Sequence, residues 1–143
     1  MFKKLQITVL LLALSVIGWG ASSSMVGAAA PADFLGNWVN TDTATRGIVR
    51  LVFTQSGANY IAQGFGACSP TPCDFGVTTF NLLGYNVSDT NPNWGVAVWD
   101  SGFKTEYLVA HREGELLVVE SYNVFKDGSG RSNYRSLFLF KKS

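Results

Sequence analysis

From Gly36 onward, short runs of β-branched and aromatic residues alternate with clusters of Gly, Asn, Asp, Ser and Pro. No stretch holds the helical period of 3.6 residues over two turns. The runs Gly36–Asn40, Ile48–Gln55, Tyr60–Cys68, Cys73–Tyr85, Trp94–Ser101, Lys104–Arg112, Leu116–Phe125 and Asn133–Lys141 predict eight strands. Ser56-Gly57, Ser69-Pro70-Thr71-Pro72, Ser88 to Pro92, Ser101-Gly102, Glu113-Gly114 and Asp127-Gly128 punctuate them. Spacing near ten residues and short connections predict an all-β fold, an eight-stranded antiparallel up-and-down barrel, with a β-sandwich as the alternative.

The last three strands have a readable register. Two-residue turns at Glu113-Gly114 and Asp127-Gly128 set Tyr107 opposite Glu120, Val109 opposite Val118, Glu120 opposite Arg135 and Tyr122 opposite Asn133. One face then carries Thr105, Tyr107, Val109, His111, Val118, Glu120, Tyr122, Arg135 and Leu137. The other carries Leu108, Ala110, Leu117, Val119, Phe125, Tyr134, Phe138 and Phe140. The second is more apolar and is the expected core. The first mixes aromatic, aliphatic and charged groups, which suits a ligand cavity if that face turns inward, or a partner contact if it does not. Tyr107, Glu120, Tyr122 and Arg135 are therefore candidate ligand-binding residues.

The segment ahead of these strands has a different pattern. Lys3-Lys4 is followed by an almost unbroken apolar run from Leu5 to Trp19, then Ser22-Ser23-Ser24 and Gly27-Ala28-Ala29-Ala30. Positive charge, apolar core and small residues in that order read as a cleaved signal peptide over residues 1–30, with the cut between Ala28 and Ala30. The apolar run is shorter than the ~20 residues of a spanning helix and contains no cysteine, so no stable membrane anchor is expected. Residues 31–143 remain as a single β-barrel domain, secreted or periplasmic. Much of the 47% hydrophobic content lies in the leader, and loss of Lys3 and Lys4 takes the net charge from +1 to −1. No basic footprint for nucleic acid remains.

Cys68 and Cys73 are the chain's two cysteines. In an exported protein they are expected to pair across a hairpin, Cys68 opposite Cys73. That register sets Phe65 against Gly76 and Phe75 against Gly66, each ring lying over a facing glycine. Two cysteines and the single histidine do not make a four-ligand zinc shell, and the spacing is not that of a redox Cys-x-x-Cys pair. Neither metal nor cofactor is expected.

Catalytic motifs are missing from the sequence. There is no nucleophile elbow, Walker loop or dinucleotide fingerprint. Glu120, Glu106 and Asp100 offer carboxylates, but Arg135 beside Glu120 would depress its pKa and spoil it as a general acid. Arg46 and Arg50 flank the start of the second strand, where an arginine suits a carboxylate or sugar, or an ion pair with Glu120 or Asp74. Trp94 and Trp99 bracket the fifth strand as core or sugar-stacking residues.

Gly36-Asn37-Trp38 opening the first strand resembles the Gly-x-Trp start of lipocalin and avidin-like barrels, a calycin-like architecture. Extended to Asn40, the match is most like avidins, whose asparagine after the tryptophan helps bind the biotin ureido group. That resemblance makes Asn40 a further binding candidate. Ala44 stands where avidins have a serine, which argues against biotin itself. The block Gly64–Gly76, with Thr45-Arg46-Gly47-Ile48 upstream, is similar to small secreted bacterial proteins of unassigned function. Together these features imply a non-enzymatic binding module for a small apolar or sugar-like ligand or a secreted protein partner. An inhibitor of a secreted enzyme, presenting the Ser69–Pro72 loop, is the alternative, and a small hydrolase a more distant one.

Overall fold

A computed structural model describes residues Pro31–Ser143. The signal peptide expected over residues 1–30 lies outside the described residues. A 3-10 turn, Pro31–Phe34, precedes β1 (Gly36–Asn40), β2 (Ile48–Ser56), β3 (Asn59–Gly66), β4 (Cys73–Thr79), β5 (Asn81–Leu83), β6 (Trp94–Asp100), β7 (Lys104–Glu113), β8 (Leu116–Phe125) and β9 (Tyr134–Lys142). All pairs are antiparallel. They form one sheet in the order β4-β3-β2-β1-β9-β8-β7-β6-β5, the nearly closed up-and-down barrel expected rather than the sandwich.

Among the described residues the strand count is nine, not eight, because the expected strand Cys73–Tyr85 breaks at Phe80. Before the break the segment pairs with β3, and after it with β6. One stretch of chain thus serves both edges of the sheet. Phe80 turns fully inward, its N–H donating to the Tyr60 carbonyl at 2.8 Å and its ring packing on Phe34 and Phe53. Where β4 passes β6 without a ladder, side chains bridge the seam: Thr78 Oγ1 donates to Val98 O (2.8 Å) and Trp99 Nε1 to Gly76 O (2.9 Å). These bridges narrow the seam between the two edges, where an open strand would invite aggregation.

One end of the barrel is plugged. Phe34 and Trp38 are completely buried, and Trp38 Nε1 donates to Phe34 O at 2.7 Å. The Arg112 guanidinium lies 4.7 Å above the Trp38 ring while donating to Asp33 O and Gly114 O. From this end the apolar interior continues through Leu51, Leu108, Leu117, Val119 and Phe140.

The expected core face does point inward. The expected register is off by two residues in both hairpins: Tyr107 faces Tyr122, Val109 faces Glu120, Tyr122 faces Arg135 and Glu120 faces Leu137. The β7–β8 turn is Gly114-Glu115, with Gly114 at φ 60° as a type II′ turn requires of its first central residue. After β8, Asp127-Gly128 is not a tight turn. Asp127 binds Arg131 and accepts from the Ser129 N–H, and Asn133 Oδ1 accepts from Phe125 N, which holds residues 126–133 as a longer self-bonded loop. A slip of two leaves every side chain on its face, whereas a slip of one would reverse them all.

The Phe80 bend needs a glycine across from it. A Cβ at Gly95 would overlap the Phe80 ring. Gly95→Ala is expected to destabilise the barrel by ~1–3 kcal/mol through overpacking. Combined with Phe80→Leu it should cost less than the sum of the two single changes, read by denaturant unfolding of the four-member cycle.

Candidate functional site

The inward positions change character along β7 and β8. Leu108 and Ala110 on β7, and Leu117 and Val119 on β8, are buried and apolar towards the plugged end. Towards the other end the same period of two presents Glu106, Ser121 and Asn123, each under 5% exposed. Buried polar groups need partners, and these have one another. Lys104 Nζ donates to Glu106 Oε2 (2.8 Å) and Asn123 Oδ1 (2.5 Å), Ser121 Oγ donates to Glu106 Oε1 (2.6 Å), and Asn123 Nδ2 donates to Ser121 Oγ (3.0 Å). The four side chains close a ring of bonds.

This ring faces a cavity of about 770 Å³ at the unplugged end. Phe75, Phe103, Tyr134 and Phe138 are among its walls, with Cys68 and Cys73 on the rim. Its size falls in the ~300–1,000 Å³ range of small-molecule sites, for which barrel mouths are a preferred location. Glycines make space for the aromatic walls: a Cβ at Gly64 or Gly66 would come within 2.7 or 2.8 Å of the Phe75 ring, and one at Gly47 within 2.5 Å of Phe138. Phe75 in turn meets Trp99 edge-on, with centroids 6.1 Å apart.

Cys68 and Cys73 are at disulfide distance, with Cα atoms 5.4 Å apart. The expected pairing of facing residues is corrected: Cys73 faces Gly66 on β3, and Cys68 lies in the loop beyond. A bulge between Gln63 and Phe65 shifts the register. Phe75 covers Gly66 as expected, and Gly64 as well, but Phe65 does not cover Gly76. It faces Asp74 and stacks outside under Arg50, 3.8 Å from its ring centre.

The binding candidates named from sequence do not gather at the cavity. Asn40 is buried, but Nδ2 bonds Ile48 O and Oδ1 accepts from Asp42 N, which staples the β1–β2 connection. Arg50 lies on the outside over Phe65. Tyr107, Glu120, Tyr122 and Arg135 do come together, on the outer wall of β7–β9. Glu120 Oε2 accepts from Tyr122 Oη (2.6 Å) and Arg135 Nε (2.8 Å). His111 is also on the outer wall, stacked on half-exposed Trp94 at 4.0 Å, while Trp99 is in the core. Of the cavity residues, Glu106 was legible in the sequence only as a candidate carboxylate, and Lys104, Ser121 and Asn123 were not singled out. Their signal was the alternation Leu117, Val119, Ser121, Asn123, which keeps one face while turning polar.

No protein-family model, curated protein or solved structure matches this chain.

The rim and the outer wall each give an expected outcome. The cysteines close a short loop, so replacing both with serine should cost only about 2 kcal/mol. Denaturant unfolding would show this, with an unchanged β-sheet circular dichroism spectrum. On the outer wall, Arg135 and then Tyr122 hold the Glu120 carboxyl below the usual carboxylate range. Its folded pKa lies below the unfolded one, so its contribution to stability is present at neutral pH and fades as pH falls through the lowered value. Carboxyl NMR titration should show the Glu120 midpoint rising in Arg135→Gln, and rising less in Tyr122→Phe.

Proposed function

We propose that this chain is a secreted, non-enzymatic binding protein that holds a small ligand, part apolar and part polar, in the mouth of its barrel. One observation carries the reading: an open cavity of about 770 Å³ with aromatic walls, set over the hydrogen-bonded Lys104–Glu106–Ser121–Asn123 ring. Aromatic walls supply apolar contact area, and a rigid polar floor supplies directional contacts without reorganising when the ligand arrives. Closure of the sheet and the plug at the far end hold both in place.

Export rests on the leader pattern of residues 1–30, and the paired cysteines agree with an oxidising compartment. Among the described residues no helix is long and apolar enough to cross a membrane. Kinship with lipocalin and avidin-like barrels, suggested by Gly36-Asn37-Trp38, belongs to the same proposal. Binding is preferred to hydrolysis because His111 is stacked on Trp94 outside the cavity, and Glu106 already binds Lys104 and Ser121.

The reading is tested by filling the cavity. Ser136 faces buried Ser121 across β8–β9 and lines the cavity. Native mass spectrometry and thermal shift against a panel of small amphiphiles and sugars should find a one-to-one ligand for the natural protein. Ser136→Trp should lose that ligand while keeping its own melting transition. A panel in which nothing binds, or a ligand indifferent to Ser136→Trp, would overturn the assignment.

A further inference from the structure

Charge at the mouth is unevenly committed. Three carboxylates line the cavity, and all are occupied. Asp74 accepts from Gly76 N and Gln63 Nε2, each at 2.8 Å. Asp100 accepts from Gly102 N and binds Lys126. Glu106 is bound at one oxygen by Ser121 and at the other by Lys104.

The cations differ. Lys104 Nζ carries three protons, and two go to Glu106 and Asn123. Arg46, also lining the cavity, has no hydrogen bond, ion pair or ring contact among the described residues. The other arginines are engaged: Arg50 with Phe65, Arg112 with Trp38 and two carbonyls, Arg131 with Asp127, Arg135 with Glu120. The backbone beside Arg46 is also anchored. Gly47 N donates to Thr45 Oγ1 at 3.2 Å, Gly47 O accepts from Ala67 N at 2.8 Å, and Gly47 sits against the Phe138 ring. A free guanidinium on a tethered loop is therefore presented at the rim of an aromatic cavity.

We propose that the mouth selects a small carboxylate with an aromatic body, its carboxylate forked by Arg46 and met by the remaining proton of Lys104, its ring among Phe75, Phe103 and Phe138. Planar guanidinium matches a carboxylate with two parallel bonds, the strong charge-assisted kind. A cationic ligand finds each carboxylate already bound, and would have to displace Lys104, Lys126 or a backbone N–H. A neutral sugar leaves the Arg46 charge unanswered. The inference rests on the ligand-cavity reading and adds the sign of the ligand's charge.

The test uses three matched probes: 2-naphthoate, 2-naphthalenemethanol and 2-naphthylmethylammonium, titrated calorimetrically into the protein at neutral pH. Naphthoate should bind about tenfold tighter than either of the others, as expected for a charge-assisted bond. Arg46→Gln should remove that preference and leave the alcohol's affinity unchanged. Arg135→Gln, on the outer wall, should change neither. Alcohol or ammonium binding as tightly as naphthoate overturns the charge selection but leaves the cavity reading standing. A naphthoate preference that survives Arg46→Gln overturns the role of Arg46, and no saturable binding by any probe overturns selection and cavity together.

Discussion

Everything in this barrel depends on the segment Cys73–Leu83 reaching two neighbours at once. Its first part extends β3 and its last part pairs with β6, with the change of partner at Phe80. A straight strand would leave β6 as an open edge and the interior as one face of a curved sheet. The bend brings a large ring inside, where Phe34, Phe53 and the space over Gly95 accept it. Burial of that ring and the hydrogen bonds across the seam favour the same closed geometry, which is how local and global preferences cooperate in a foldable sequence.

Once the sheet is closed, its ends differ. Phe34, Trp38 and the Arg112 guanidinium fill one of them. At the other, the inward positions of β7 and β8 carry Glu106, Ser121 and Asn123 instead of apolar side chains. A buried carboxylate is costly unless paired and hydrogen-bonded. The chain meets that demand with Lys104, Ser121 and Asn123 rather than with a larger hydrophobic core. An interior that needed only stability would be as well served by apolar residues there. A pre-assembled polar floor beneath aromatic walls is what the proposed ligand-binding role would use.

The cysteine pair belongs to this mouth rather than to the fold as a whole. It joins the start of β4 to the loop leaving β3, on the rim of the cavity. The loop it closes is too short to constrain much of the unfolded chain. Its mechanical effect is local: it ties the rim beside Asp74 and Phe75.

Alternation of apolar and polar residues determined the all-β class, most strand positions and which face of the last three strands is buried. A side-chain period of two survives even a register slip of two residues, so Leu108, Leu117 and Phe140 were legible as core although their partners were not. The pairing of Cys68 with Cys73 was legible too, being close in the chain. Turn geometry was not. Gly114-Glu115 turns where Glu113-Gly114 was expected, and the Asp127 loop is held by Arg131 and Asn133, contacts that composition does not rank. The break at Phe80 was invisible because it depends on a ring finding Phe34 and Gly95 across the barrel. The site was hidden for a similar reason. Arg46 comes from the loop after β1, Lys104 and Glu106 from β7 and Phe138 from β9, and only closure of the sheet sets them around one cavity. Glu120 and Arg135, expected from sequence to face each other on the last two strands, do form an ion pair, but on the outside of the barrel.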